Sequence, residues 1–348
     1  MLDPRVWLLW ALTVLVTASS ARNPLYGAIL LLVAMVVGAT CATEDRQRAP
    51  LSPLHFGMIA IPLSALFNGL TVHFGDTRLF TLPDWLPLLG GAVTLEAIIF
   101  GAVNGLTLTV IFSSFSIFNA VTPVRDLIKL TPRAFHEAGV VLSIALTFVP
   151  QTARSLRSIR EAQAVRGHRV RGLRDWLPIV IPLLTSGLER SMGLAEAMVA
   201  RGYGAVSDRG QPLRRQALLA LGLLVLLTGW LMVLFRPSRQ LIAAGVMALG
   251  TLLIGIVVWL TGRSVSHTVY RARRWSYRDT VTLVGCILTL AVSVTQREAL
   301  YYSPYPRLTA PSFNPLVGLG LLGLIPPALI EMISDRDDPG MSKERTLA

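Results

Sequence analysis

Two stretches of this chain carry the same phrase, and the phrase ends in a fixed cation. They are Glu161-Ala162-Gln163-Ala164-Val165-Arg166-Gly167 and Glu196-Ala197-Met198-Val199-Ala200-Arg201-Gly202, which lie 35 residues apart. An arginine side chain is always charged, and its planar fork can grip a carboxylate or phosphate through two parallel hydrogen bonds. The glycine that follows tolerates φ > 0 and so ends a helix cheaply, while the residues before it are good helix formers. Each copy therefore predicts a helix that stops with a guanidinium at its tip. Arginine near a helix C-terminus is also favoured by the macrodipole alone, by a few tenths to about 1 kcal/mol. One copy would mean no more than that. Two copies agreeing at Glu, Ala, Arg and Gly point to a shared docking role for Glu161, Arg166, Gly167, Glu196, Ala200, Arg201 and Gly202.

Other chemistry finds little footing. There is no G-x-x-x-x-G-K-[ST], so ATP energy has to come from another subunit, and no G-x-S-x-G elbow for a serine nucleophile. His55, His73, His136, His168 and His267 lack the i, i+4 spacing of a helix-borne metal site, and no paired acidic cluster suits a Mg²⁺-diphosphate. His73 with Asp76 forms a loop pair that is ordinarily just solvated. Cys41 and Cys286 both sit in apolar runs and make neither a disulfide framework nor a thiolate metal site. Glu96 is a carboxylate well inside an apolar run, which is a functional candidate by default. The competing readings are a packing hydrogen bond to Asn104 or Asn68, or a position nearer the membrane interface.

The elements that must position the two tips belong to a membrane protein. Of 348 residues, 53% are hydrophobic and only 15% charged, and the mean hydropathy is +0.58. Val6–Ala21 is apolar and ends at Ala18-Ser19-Ser20-Ala21. It reads as a cleaved signal peptide or, better, as a short first span turned at Asn23-Pro24 into a second over 25–42. A polar loop at Glu44-Asp45-Arg46-Gln47-Arg48 precedes a third span over 54–70. From Trp85 to Val121 the chain stays apolar for 37 residues, about 55 Å if helical, against a core of about 30 Å. It must tilt, break or protrude.

Between Thr122 and Arg215 stand fifteen Lys/Arg against seven Asp/Glu, with Pro123, Pro132, Pro150, Pro178 and Pro182 predicted to cut the stretch into short helices. Ala138–Val149 is too short to cross and is expected as a separate helix under the bundle or in the interface. Leu156, Ile159, Gln163 and Arg166 share one helical face. Four further spans are expected over 217–235, 241–261, 281–295 and 316–333.

The expected fold is thus an all-α polytopic bundle of about eight spans. Residues 1–121 hold spans one to four, 122–215 a cytoplasmic helical coupling region, and 216–348 spans five to eight with a cytoplasmic tail. With Met1 in the cytoplasm, 26 of the 32 Lys/Arg fall on that side, as the positive-inside rule asks of a plasma-membrane protein with both termini inside. The net charge of +12 is then explained by topology, with no nucleic acid as partner.

These residues resemble the transmembrane T component (EcfT/CbiQ type) of energy-coupling factor transporters, which are ABC importers of vitamins and transition-metal ions. That family is marked by two A-R-G tripeptides on cytoplasmic coupling helices. Here the second is intact at Ala200-Arg201-Gly202, and the first reads Val165-Arg166-Gly167. Leu2-Asp3-Pro4-Arg5, Asn23-Pro24-Leu25, Phe148-Val149-Pro150 and Ile181-Pro182-Leu183-Leu184 also resemble the family's opening and coupling region, so the likeness covers about residues 1–215. Four spans beyond Arg215 exceed the single closing span of a minimal member. The resemblance implies that Arg166 and Arg201 each enter a groove on one of two cytoplasmic ATPases, and that those ATPases bind ATP-Mg. It also implies that a separate membrane S subunit carries the substrate, while this chain holds no cofactor of its own.

Two alternatives remain at this stage. A conventional ABC permease has an E-A-A-x-x-x-G loop, which Glu161-Ala162-Gln163 with Gly167, Ile179 and Pro182 also fits, though normally once. A lipid-modifying membrane enzyme would use Glu96 or His73.

Overall fold

The structure is a computed structural model, described here for residues 2–41, 52–82, 91–131, 135–168, 172–203, 213–235, 240–263 and 275–337. The polar loop at 44–50, the start of the long apolar run at Trp85, Pro132, Arg236, Arg239, most of the basic loop 263–278 and the C-terminal tail lie outside them. The chain is an all-α polytopic membrane protein. Among the described residues seven helices are long and apolar enough to cross a bilayer, or eight if a bent pair near the C-terminus is one span.

By contact the chain forms two units, residues 1–127 with 271–348, and residues 128–270. The first contains α1 (Pro4–Ser20), α2 (Pro24–Cys41), α3 (Pro53–Thr71), strands β1 (Arg78–Leu82) and β2 (Gly91–Thr94), α4 (Leu95–Val121), the short α5 (Val124–Ile128), α10 (Tyr277–Thr295), α11 (Arg297–Leu300), α12 (Pro315–Leu321) and α13 (Pro326–Asp337). The second contains α6 (His136–Val165), α7 (Leu177–Ala200), α8 (Leu213–Phe235) and α9 (Gln240–Arg263).

Helix starts in the first unit follow their caps. The Asp3 carboxylate accepts from the Arg5 N–H with Pro4 in the first turn, and Ser52 with Pro53 opens α3 in the same way. The core gathers Trp10, Val14, Tyr26, Leu30, Val37, Val110, Leu321 and Leu324. α3 and α4 approach through glycines: a Cβ on Gly101 would lie 2.4 Å from the Ser64 carbonyl oxygen and one on Gly105 2.7 Å from Ile61 Cα. Small residues at such crossings let backbones pack closely where lipid supplies no hydrophobic drive.

The last spans are built into this same core, although they lie some 280 residues from its first helix. α10 and α1 share a carboxylate at their N-termini, where Asp279, buried, accepts from the Asp3 N–H (2.8 Å) and the Ser276 N–H (2.9 Å). Replacing it by Asn leaves one acceptor oxygen for two donors. Asp279→Asn should therefore cost about 1–3 kcal/mol, read as a lower thermal midpoint of the detergent-solubilised protein; an unchanged midpoint would remove the tie. α12 and α13 are bent by 50° across the turn Leu322–Leu324. Carbonyls freed there are taken by the protein: Trp10 Nε1 donates to Leu324 (2.9 Å) and Thr289 Oγ1 to Gly320 (2.8 Å).

The 85–121 run breaks, one of the outcomes its excess length allowed: Gly91–Thr94 pairs as β2 with β1, and α4 starts only at Leu95. Other expectations are corrected. Glu96 consequently sits in the first turn of α4, away from mid-span, with Asn68 and Asn104 not its partners. It is fully buried and accepts from the Thr77 N–H (3.1 Å), while Gly75, at φ +148°, lets the backbone pass the carboxylate at a distance no Cβ would allow. His73 Nδ1 lies 3.3 Å from the Ala92 carbonyl, and Asp76 pairs with Arg307 on the surface (2.8 Å).

Pro150 and Pro182 do not cut the coupling stretch into short helices. α6 runs 30 residues through Pro150 and α7 24 residues through Pro182, so Ala138–Val149 is the first half of α6. A proline removes one N–H and crowds the preceding turn, but ending the helix there would free several more backbone groups. Pro178 instead sits in the first turn of α7, where its missing N–H costs nothing. α6, expected as too short to cross, qualifies by length and composition as a span, whereas α1, expected as the first span, is at 17 residues shorter than each of the seven that qualify.

Candidate functional site: two matched helix ends

α6 and α7 finish in the same way, residue for residue. The helices end at Val165 and Ala200, and the capping residues Arg166 (φ −80°, ψ 8°) and Arg201 (φ −85°, ψ 5°) have nearly identical backbones. Gly167 and Gly202 then turn at φ +80° and +78°. In the first copy the Gly167 N–H donates to Ala164 and the His168 N–H to Gln163, both at 2.9 Å; in the second, Gly202 donates to Val199 and Tyr203 to Met198, also at 2.9 Å. This paired five-to-two and six-to-one closure is a Schellman motif, and it satisfies carbonyls a helix end otherwise leaves bare.

Both tips are open. Glu161, Val165, Arg166, Gly167, Glu196, Val199, Ala200, Arg201 and Gly202 are all exposed, Val165 at 90%. A Cβ built on either glycine would meet nothing within 4 Å. Conformation alone therefore demands glycine there. Gly202→Val places a β-branched residue at positive φ, and the expected cost is on the order of 1–2 kcal/mol in the last turn. Hydrogen exchange of the 198–203 amides should speed up severalfold; unchanged exchange would count against this cap.

The two helices run antiparallel, since Gln163 Nε2 donates to the Pro178 carbonyl (3.3 Å) and Arg190 to Ser155 Oγ (3.3 Å). Arg166 therefore lies by the start of α7, while Arg201 lies at its far end. At 1.5 Å per residue, the 23 residues from Pro178 to Arg201 separate the tips by about 35 Å. The site is a rod with a guanidinium at each end, too long for one small ligand to bridge.

Some of this was not visible in the repeat. His168 Nε2 lies 2.7 Å from the Asp175 carbonyl, and Asp175 Oδ2 accepts from the Gly172 N–H (2.9 Å), which ties the first tip to the turn before α7. α7 also shows an exposed apolar stripe of Leu177, Ile181, Leu184, Leu188 and Met192, on the side away from buried Ile179 and from Arg190, which face α6. The i, i+4, i+7, i+11 spacing was the signal for it.

The comparisons agree with this architecture. The family model CbiQ, described as cobalt transport protein, matches residues 1–213. The chain is similar to the energy-coupling factor transporter transmembrane protein EcfT of Bacillus selenitireducens, 29% identical over 227 residues, or 60% of this chain and 80% of that protein. It is similar to EcfT of Limosilactobacillus fermentum at 26% identity over 259 residues, 69% of this chain and 93% of the relative. EcfT of Streptococcus thermophilus is 28% identical over 222 residues, 60% and 81% of the two chains. With the matched region reaching from the first helix past both arginine-tipped ends, the chain belongs to the CbiQ cobalt transport protein family.

Proposed function

We propose that this chain is the transmembrane T component of an energy-coupling factor importer, and that Arg166 and Arg201 are its two contacts with a pair of cytoplasmic ATPases. The observation that carries this reading is the matched pair of exposed, glycine-capped arginines at opposite ends of one helix pair. Two matched tips about 35 Å apart fit two copies of a similar groove, one on each ATPase, better than one composite site. A guanidinium entering such a groove would meet a carboxylate bidentately, a directional joint suited to transmitting motion. Glu161 and Glu196 occupy the same place one turn and a half before each tip.

Both tips face the cytoplasm in this reading, in the cell membrane, with the basic stretch 122–215 on the side the positive-inside rule favours. The substrate, a vitamin or transition-metal ion, would enter through a separate membrane S subunit, for which the apolar stripe of α7 offers a surface. ATP and Mg²⁺ would be bound by the ATPases alone. A permease with its own path finds less support, because the bent last span has its carbonyls taken up by Trp10 and Thr289 inside a packed core. Gentle solubilisation of the full chain, followed by identification of what co-purifies, tests the assignment. Two ATPase subunits with a small membrane protein are expected; recovery of the chain with neither would overturn it.

A further inference from the structure

α6 changes character at Pro150. From Ala138 to Val149 it carries no charge, and none of its described side chains is buried; Val141 and Val149 are 66% and 67% exposed. With Pro150 to Ala153 the uncharged run is sixteen residues, about 24 Å, enough to enter one leaflet and short of a core of about 30 Å. One turn beyond the proline begin Arg154, Arg157 and Arg160, all exposed. None of the three has a hydrogen-bond or ion-pair partner among the described residues. At 100° per residue they fall on the side of α6 away from Ser155 and Gln163, which bond to α7, so those contacts do not use them.

An uncharged, exposed half-helix running directly into an arginine row is the pattern of a segment whose apolar part sits among acyl chains and whose cations meet headgroup phosphates. We propose that α6 forms an anionic-phospholipid site: residues 138–149 enter the cytoplasmic leaflet and Arg154, Arg157 and Arg160 bind the phosphates of acidic headgroups. The site would anchor one arm of the coupling pair to the membrane surface while Arg166 stays in water. The leaflet named rests on the orientation in the proposed function; the lipid chemistry does not. An acidic face on a partner protein is the competing occupant of the arginine row, but it gives no account of the apolar half that adjoins it.

Full-length protein in detergent, titrated with dioleoylphosphatidylglycerol or dioleoylphosphatidylcholine and read by native mass spectrometry, tests this. Each arginine near an anionic surface contributes about fivefold in affinity, and Glu161 nearby offsets part of it. The glycerol lipid is expected to bind about tenfold or more tightly than the choline lipid. In the triple variant Arg154→Gln, Arg157→Gln, Arg160→Gln the preference should fall to within about twofold. A preference that survives the triple variant overturns the proposal, and if that variant instead loses co-purifying ATPases, the row belongs to a protein interface. A fluorophore at Val149→Cys, in a chain carrying Cys41→Ala, should be quenched by bromine-tailed lipids in nanodiscs, since Cys286 is fully buried. Absence of quenching overturns the membrane insertion. Arg166 and Arg201 are intact in every variant, so failure here leaves the ATPase assignment standing on its own test.

Discussion

Reversing the charge at Arg201, or separately at Arg166, should leave the protein folded and inserted while abolishing uptake. Both side chains are exposed at helix ends whose geometry is fixed by backbone hydrogen bonds, so Arg→Glu removes nothing the chain needs to fold. In the assembled importer each guanidinium would be buried against a carboxylate, and truncating one member of such a pair costs about 2–5 kcal/mol. Reversal adds repulsion to that loss, so ATPase capture should weaken by two to three orders of magnitude, about 3–4 kcal/mol at each joint. The tips lie about 35 Å apart along the helix pair, farther than sites usually couple, so the double variant should lose close to the sum of the two single effects. Co-purification of each variant with the ATPases, alongside transport in membrane vesicles, measures this. Undiminished assembly with normal uptake would take both arginines out of the mechanism.

Gly285→Leu should have the largest effect on stability. A Cβ at that position would lie 2.1 Å from the Gly323 carbonyl oxygen, and one at Gly323 would meet the Gly285 carbonyl at 2.9 Å. These two glycines let α10 press against the turn that joins α12 to α13, where Trp10 donates to Leu324 and Thr289 to Gly320 just before the turn. The obstacle is backbone on both sides and cannot rotate aside. Overpacking costs typically 1–3 kcal/mol where side chains can give way, and here the expected loss is higher, on the order of 4 kcal/mol, near the whole margin of a marginally stable protein. Little monodisperse protein should survive size exclusion in detergent. Gly245→Ala, in α9 with nothing within 4 Å of its Cβ, is the control and should behave as the parent, because alanine is the better helix former. A Gly285→Leu protein with the parental thermal midpoint would mean that α10 does not approach the turn so closely.

What the amino-acid order determined by itself was local. The ends of α6 and α7 close within six residues, from Gln163 to His168 and from Met198 to Tyr203, so Arg-Gly after helix formers was enough to place them. Most spans were equally legible, because crossing a bilayer depends on the mean polarity of about 20 consecutive residues; the exceptions were α1, too short, and α6, which qualifies by composition. Tertiary structure decided the rest. Whether α6 stops at Pro150 depends on the ladder either side of it, and where the apolar run after Trp85 breaks depends on β1 pairing with β2. That α10 packs on α1, through Asp3 with Asp279 and Trp10 with Leu324, is a choice made across 276 and 314 residues of chain. Hydropathy cannot rank such pairings, since to a lipid every apolar face is alike; glycine notches, shared carboxylates and freed carbonyls select among them. The same applies to the two tips. Each was readable alone, but that they point to opposite ends of one rod follows only from Gln163 reaching Pro178 and Arg190 reaching Ser155.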